Sequence, residues 1–250
     1  MMEQRITARK NPLIQQVRKL LTSRKERQQA GLFVADGTKL LEEAVRWYEG
    51  LDTVILSDGV QVSLPSQVRV IRIPEELMAY ISPMETPQGA MFLCRLPEEK
   101  PFMPQKGMLI LDGIQDPGNL GTIVRTADAL DVPLVLLEGC TDPYSHKVVR
   151  ASMGAVLRTQ VCQATWEQVH AGCKEAGIPI GVTALSERAK DLREAALASM
   201  AVVIGSEGQG VRSRILEQAD AELIIPMNPR CESLNAAVAA TIVMWQMKQM

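Results

Sequence analysis

The feature that most constrains the fold is a regular alternation of short apolar runs and helical patterns between residues 107 and 250. Runs such as GMLILDG at 107–113 and VPLVLLEG at 132–139 are apolar at consecutive positions, which is typical of strands buried on both faces. Helical patterns between the runs supply the long connections that parallel strands require. We therefore predict an α/β fold in which helices cover both faces of a parallel sheet.

A stretch rich in proline and charge at residues 96–106 marks a break between two parts of the chain. It predicts a first domain at residues 1–98, a linker at 99–106 and a second domain at 107–250. Short strands also alternate with helices in the first domain, so we expect a small three-layer α/β arrangement there. Its first helical pattern begins after Asn11-Pro12 and runs to Lys25.

Composition excludes several classes of protein. Hydrophobic residues make up 46% and charged residues 22% of the 250 residues, as in a globular chain. No apolar run approaches the roughly 18 residues of a membrane helix, and the N-terminus lacks the apolar segment of a secretory signal. The five cysteines are far apart and form no CxxC pair, which argues against a disulfide framework and a metal site. We expect a cytoplasmic protein with no membrane partner.

The first thirty residues carry eight basic and two acidic side chains, although the whole chain has a net charge of −2. Four of the basic residues lie largely on the polar side of the first helical pattern: Arg18, Lys19, Arg24 and Lys25. Such a face is a candidate phosphate-binding surface. A solvated helix face would show the same charge pattern, so charge alone leaves both interpretations open.

Three loops that follow predicted strands of the second domain contain residues suited to binding or chemistry. In the first loop, Asn119 lies near the start of a helix and Arg125 lies on its second turn, where they could bind a phosphate or a sugar hydroxyl. On this segment alone, a helix-capping asparagine and a surface arginine are the simpler interpretation.

The second loop, Gly205–Gly210, holds three glycines in six residues, so its backbone could approach a ligand closely. The third loop follows Ile225-Pro226-Met227, and in it Ser233 and Asn235 precede the last helix, with Ser233 as the candidate N-cap. A well-capped buried helix is the alternative for this segment. Because all three loops end strands of one predicted sheet, we expect them to lie together.

Together these motifs resemble those of the SpoU (TrmH-like) class of SPOUT RNA methyltransferases, over about residues 105–248. The pattern N-x-G-x-x-x-R is present at 119–125, IG-x-EG at 204–208, and IPM followed by SLN at 225–235. The segment DPYSHKVVRASMGA at 142–155 is similar to an intermediate segment of this class, and FVADGTKLLEEA resembles its ribosomal-protein-like RNA-binding domain. This chain has Pro229 where members often have glycine, and Ala236-Ala237 where they often have Val-Ser.

The resemblance implies a C-terminal trefoil knot, a homodimer through the C-terminal part, and S-adenosylmethionine as cofactor. The implied reaction is methylation of a ribose 2′-hydroxyl in structured RNA, with ribosomal RNA favoured. The implied catalytic residues are Asn119, Arg125, Glu207, Ser233 and Asn235, and the implied cofactor-binding residues are Gly205, Gly208, Ile225, Met227 and Leu234. The side chains expected to contact RNA are Arg18, Lys19, Arg24, Lys25 and Arg150.

Three other functions compete with this interpretation. Transfer RNA could be the substrate, or the protein could be an RNA-binding assembly factor that keeps the fold without catalysis. The presence of Asn119, Arg125 and Asn235 argues against the assembly factor. A nucleotide-dependent oxidoreductase is the third alternative, and the absence of GxGxxG argues against it, as the absence of GxxxxGK[ST] argues against a P-loop.

Overall fold

The computed structural model describes residues 4–159, 161–228, 230–231 and 233–249. Its contacts divide the chain into two compact units. The first unit comprises the described residues up to Glu98 together with Asp142–Arg158, and the second comprises Glu99–Thr141 and the described residues from Thr159 onward. Segment 142–158, which the sequence assigns to a domain at 107–250, thus belongs by its contacts to the first unit. The linker at 99–106 stays a prediction.

Strands and helices alternate along most of the described chain. The strands are β1 (Gln4–Arg5), β2 (Leu32–Asp36), β3 (Leu51–Ser57), β4 (Arg69–Ile73), β5 (Ala90–Arg95), β6 (Met108–Asp112), β7 (Leu134–Leu136), β8 (Val161–Gln163), β9 (Ile180–Thr183), β10 (Lys190–Asp191), β11 (Ala201–Gly205) and β12 (Ala221–Ile224). The helices are α1 (Pro12–Thr22), α2 (Arg24–Ala30), α3 (Thr38–Trp47), α4 (Glu75–Ile81), α5 (Pro117–Leu130), α6 (His146–Ala151), α7 (Trp166–Ala176), α8 (Ser213–Gln218) and α9 (Ala236–Met247).

The first unit contains a mixed sheet with the strand order β1-β4-β3-β5-β2, in which β5 is antiparallel to both β2 and β3. Successive residues of β2 face opposite sides of this sheet. Val34 packs in a buried cluster with Ile14 of α1 and Met78 of α4. The Phe33 ring lies on the other side, against Tyr48 at the end of α3. Helices on both faces confirm the predicted three-layer α/β arrangement.

The first predicted helix is interrupted at Ser23. Helix α1 begins as predicted after Asn11, whose side chain caps it, and ends at Thr22. Ser23 has an extended backbone, and its hydroxyl accepts a hydrogen bond from the N–H of Glu26, so it caps a second helix. The basic residues at positions 24 and 25 therefore belong to α2, and not to the helix that carries positions 18 and 19.

Two polar pairs screened from solvent hold segment 142–158 within the first unit. Nη2 of Arg27 in α2 lies 2.7 Å from Oδ2 of Asp142. Nε2 of His146 lies 2.6 Å from a carboxylate oxygen of Asp36, at the end of β2. Removing one partner of such a pair leaves the other polar group buried without compensation, which is costly. These contacts fix the segment firmly to α2 and β2.

Every neighbouring pair of strands in the sheet of the second unit is parallel, with the order β10-β12-β9-β11-β6-β7-β8 in the described part of the chain. This confirms the predicted parallel sheet. Strands β6 and β11 lie near its centre and are buried along their whole length. Helix α5 connects β6 to β7, and α9 packs against α5. The trefoil knot stays a prediction.

The described ranges contain no helix that is long and apolar enough to cross a membrane. In the same ranges, no cluster of three or more His, Cys, Asp and Glu side chains is arranged to hold a metal ion. Each of the five cysteines is a free thiol, and only Cys231 is exposed.

Candidate active site

A cavity of about 720 Å³ opens beyond the carboxyl ends of β9, β11 and β12. Ligands bind at this edge in parallel α/β sheets. Its wall includes all five residues expected to bind the cofactor and two of those expected to be catalytic: Gly205, Gly208, Ile225, Met227, Leu234, Glu207 and Ser233. The second and third sequence motifs therefore meet at one cavity. Pro229, in the same loop as Met227, lies outside the described residues.

The glycine loop between β11 and α8 folds back tightly on itself. The N–H of Gly210 donates a hydrogen bond to the carbonyl of Ser206 (2.9 Å). A Cβ atom on Gly205 would lie 2.0 Å from the carbonyl carbon of Gly210, whereas one on Gly208 would meet nothing within 4 Å. The sequence motif predicts that glycine at 205 allows close approach of a ligand, but the turn itself requires glycine there. Glycine at 208 leaves space open at the cavity wall.

Asp112 holds both ends of this loop, one through its backbone and the other through its buried carboxylate. At the start, Gly205 pairs with Asp112 in the ladder between β11 and β6. At the end, Arg212 donates to Asp112 from its backbone N–H (2.9 Å) and from Nε (2.6 Å). Asp112 is only 2% exposed, so the guanidinium supplies the opposite charge that a buried carboxylate needs. Sequence reasoning missed this pair, although an acidic residue ending an apolar strand was an available signal.

Three polar side chains from the three predicted motifs form one hydrogen-bonded chain. Nδ2 of Asn119 donates to a carboxylate oxygen of Glu207. Nδ2 of Asn235 donates to Oδ1 of Asn119 (2.9 Å). The chain links the first turn of α5, the glycine loop and the start of α9, so the structure brings these three predicted residues together at the cavity rim.

The helix caps differ from those expected, and the difference releases Asn119 for the site. Asp116 caps α5 by accepting a hydrogen bond from the N–H of Asn119 (2.8 Å). Asn235, and not Ser233, caps α9, with its side chain accepting from the N–H groups of Ala237 and Val238. Because α9 begins only at Ala236, Ser233 is too far upstream to cap it, and it remains an exposed residue of the cavity wall.

Arg125 stands apart from this cluster within the protomer. It lies six residues after Asn119 on α5, which is about 9 Å further along the helix axis and on a different face. Its side chain is exposed and forms no hydrogen bond or ion pair with any residue that the structure describes. Arg125, the remaining predicted catalytic residue, is thus not among the described residues that line the cavity.

Cys140 lies close to Asp112 and Arg212, but its thiol is not a nucleophile at neutral pH. Its Sγ donates to the carbonyl of Leu111 (3.3 Å). Burial raises the pKa of the Cys140 thiol, so it remains protonated at neutral pH.

The residues expected to contact RNA all lie in the first unit, and all five are exposed. Two of them contact α4 or the residues just after it. The guanidinium of Arg18 stacks on the ring of Tyr80, and Nη1 of Arg150 contacts Sδ of Met84. Lys19, Arg24 and Lys25 take no part in these contacts.

Comparison with known proteins places both units in described families. The profile of the SpoU rRNA Methylase family matches residues 106–245. The profile of the MRM3-like substrate binding domain matches residues 11–91.

Individual relatives match over nearly the whole chain. The 23S rRNA (guanosine(2553)-2′-O)-methyltransferase RlmP of Bacillus subtilis is 32% identical over 246 residues, which cover 97% of this chain and 98% of that protein. The crystal structure of an AdoMet-bound rRNA methyltransferase from Sinorhizobium meliloti has a TM-score of 0.86 and 28% identity, covering 99% and 98% of the two chains. A putative RNA methyltransferase of the TrmH family from Porphyromonas gingivalis has a TM-score of 0.83 and 33% identity, covering 94% and 96%.

Proposed function

The chain belongs to the SpoU rRNA methylase family, and on that premise we propose that it transfers a methyl group from S-adenosylmethionine to a ribose 2′-hydroxyl of ribosomal RNA. The observation that carries the proposal is the hydrogen-bonded chain of Glu207, Asn119 and Asn235 at the rim of the cavity. A binding pocket bordered by a fixed set of polar groups is the arrangement that group transfer between two bound reactants requires.

The cavity fits S-adenosylmethionine in size and chemistry. Its volume of about 720 Å³ lies within the range of small-molecule sites. Apolar atoms of Ile225, Met227 and Leu234 suit an adenine ring, and the backbone at Gly205 and Gly208 suits its polar edge and the ribose. We therefore assign cofactor binding to these five residues. When bound, the cofactor supplies a methyl group already activated on a sulfonium centre.

The protein's own residues position the target ribose and stabilise its oxygen. Arg125 binds the ribose-phosphate and stabilises the negative charge that develops on the 2′-oxygen as its proton leaves. An arginine keeps its own proton at neutral pH, so charge stabilisation suits it better than a role as base. Asn119, oriented by Glu207 and Asn235, fixes the direction of approach, and the exposed hydroxyl of Ser233 holds a ribose or backbone oxygen.

A homodimer would explain why Arg125 is not among the described residues that line its own cavity. Two large apolar side chains on α9 are exposed, Val238 at 48% and Trp245 at 56%. They lie seven residues apart, so they share one face of the helix. Since α9 packs against α5, which carries Arg125, a second copy covering this face could receive that arginine near its own cavity. We propose this dimer as the active assembly.

The first unit binds the RNA in this proposal, through Arg18, Lys19, Arg24, Lys25 and Arg150. Ribosomal RNA is favoured over transfer RNA because the Bacillus subtilis relative, similar along both units, acts on 23S rRNA. We place the protein in the cytoplasm, because its proposed substrate is ribosomal RNA and its cysteines, such as Cys94 and Cys173, are free thiols.

The test is to map 2′-O-methylated nucleotides in cellular RNA with and without the protein, and to reproduce the change with purified protein and labelled S-adenosylmethionine. We expect one ribosomal RNA position to lose its methyl group. Arg125→Lys should reduce transfer by about 100-fold or more, because lysine lacks the planar fork, while cofactor affinity should remain that of the wild type.

Two of the competing functions have their own results in this test. Loss of methylation in transfer RNA alone would show that transfer RNA, and not ribosomal RNA, is the substrate. Unchanged methylation together with tight RNA binding and no cofactor binding would identify an assembly factor. Near-normal transfer by Arg125→Lys would remove the role proposed for the arginine.

A further inference from the structure

Two arginines near the start of the first unit contact Tyr80 of α4, and a third, from segment 142–158, contacts Met84 just after this helix. The Cζ atom of Arg9 lies 4.6 Å from the ring centroid of Tyr80, and that of Arg18 lies 4.4 Å from the same centroid. Nη1 of Arg150 contacts Sδ of Met84. Met84 is four residues beyond Tyr80, at most about 14 Å along an extended chain. We call these five residues the Tyr80 patch.

The patch is held in place by the fold. Tyr80 packs its apolar side against the buried core formed by α1, α4 and the sheet, and its hydroxyl accepts a hydrogen bond from Arg18 Nη1. The backbone carbonyl of Arg9 accepts a hydrogen bond from Gln15 Nε2 of α1 (2.7 Å). Both guanidiniums are therefore positioned before any ligand arrives, which lowers the entropic cost of binding.

The positive charge of the patch is not neutralised by the protein. None of its three arginines forms an ion pair with a residue that the structure describes, whereas Arg5 pairs with Asp58 and Arg95 with Asp52 in the same unit. Glu76, one turn before Tyr80 on α4, bonds none of the three within the described residues. Two guanidiniums against one ring repel each other, and a bound anion would relieve that repulsion.

The chemistry of the patch suits a chain of phosphates. A guanidinium lying over an aromatic ring still presents its N–H edge outward, where it can bind a phosphate with two parallel hydrogen bonds. All three arginines are exposed at the surface, so the ligand they suit is an extended polyanion. Arg18 and Tyr80 both lie in the part that matches a substrate binding domain.

We propose that Arg9, Arg18 and Arg150 of the Tyr80 patch bind backbone phosphates of the RNA substrate, with Tyr80 as the residue that positions the first two. This rests on the proposed function for the identity of the polyanion. It adds Arg9 and Tyr80 to the RNA-binding surface, and it separates Arg18 and Arg150 from the other basic residues of the unit.

The experiment measures binding of the full-length protein to protein-free 23S ribosomal RNA as a function of salt concentration. The triple variant Arg9→Gln, Arg18→Gln, Arg150→Gln should bind at least about tenfold more weakly at 0.1 M salt. The slope of log affinity against log salt concentration should be smaller in magnitude by about two to three, because the variant makes fewer phosphate contacts and its binding releases fewer counterions.

Arg46→Gln is the matched control. Arg46 is an exposed arginine of the same unit that lies 4.9 Å from the Trp47 ring centroid, with no second guanidinium on that ring. Arg46→Gln removes one positive charge and one guanidinium–ring contact, as the single variants Arg9→Gln and Arg18→Gln each do. The control should leave affinity and salt slope close to those of the wild type, whereas each of the two single variants should weaken binding and flatten the slope by about one unit. If the control lost as much RNA affinity as each of these single variants, the proposal that the Tyr80 patch binds phosphates would be overturned.

Two tyrosine variants test the positioning role. Tyr80→Phe keeps the ring and should bind RNA like the wild type. Tyr80→Leu keeps the apolar packing but removes the ring, and should lose several-fold in affinity with an unchanged unfolding midpoint. Wild-type affinity for Tyr80→Leu would overturn this role. Absence of methyl transfer by the wild type would count against the proposed function alone, since the patch is judged by RNA binding.

Discussion

At the scale of single residues, two glycines of one loop have different tasks. Gly205 lies where a side chain would collide with the backbone of Gly210, so its requirement comes from the fold. Gly208 has open space in front of it and borders the cavity, so its requirement would come from the ligand. Glycine is therefore required by the fold at position 205 and by the proposed ligand at position 208, although the backbone of both residues borders the cavity.

This difference predicts that alanine lowers stability at position 205 and weakens cofactor binding at position 208. Gly205→Ala should lower the free energy of unfolding by about 3 kcal/mol, because a backbone atom at 2.0 Å must move. Gly208→Ala should leave the unfolding free energy unchanged and weaken S-adenosylmethionine binding at least about tenfold. Urea titration and calorimetry measure the two quantities. Cofactor affinity unaffected by Gly208→Ala would place the ligand elsewhere.

At the scale of elements, the glycine loop is fixed at both ends by one buried residue: the backbone of Asp112 pairs with Gly205, and its carboxylate binds Arg212. Arg212→Ala should lower the unfolding free energy by about 2 kcal/mol, since Asp112 would remain buried without its counter-charge. The loss is limited because the Arg212 side chain is 48% exposed and water partly screens the pair. Cofactor affinity should fall as well, because the loop end is released.

Arg214→Ala provides the control for this prediction. Arg214 lies two residues further along and pairs with Glu167, but both side chains are more than half exposed. Its removal should change neither stability nor cofactor affinity measurably. If both variants changed stability and cofactor affinity equally, the Asp112–Arg212 pair would have no special role in holding the loop.

How far the sequence could predict these elements depends on whether a pattern was local. Apolar runs identified the strands of the parallel sheet because burial on both faces leaves a mark in consecutive residues. The break at Ser23 was missed because one capping hydroxyl decides it against a continuing helical pattern. The Asp112–Arg212 pair joins residues a hundred positions apart, so the acid at the end of its strand could signal a buried charge but not the partner of that charge. Segment 142–158 joins the first unit through distant partners and leaves no local signal.

At the scale of the whole molecule, the exposed face of α9 predicts the assembly. Trp245→Glu should convert the proposed dimer into a monomer, because a carboxylate would be buried at the interface, and methyl transfer should fall with it. Trp47→Glu is the control, since Trp47 is 51% exposed in the first unit and should leave the assembly intact. Light scattering at micromolar concentration measures both masses. A monomeric wild type would contradict the dimer.

The course of the chain through segment 142–158 has a consequence for how this protein can be divided or recombined. The polypeptide leaves the second unit at Thr141, contributes Asp142–Arg158 to the first, and returns at Thr159. A gene fragment that begins after Glu98 would therefore encode this segment without Arg27 and Asp36, the partners that its Asp142 and His146 contact. Exchange of front domains between related genes would have to exchange two separate stretches of coding sequence at once. We expect the two stretches to be inherited together.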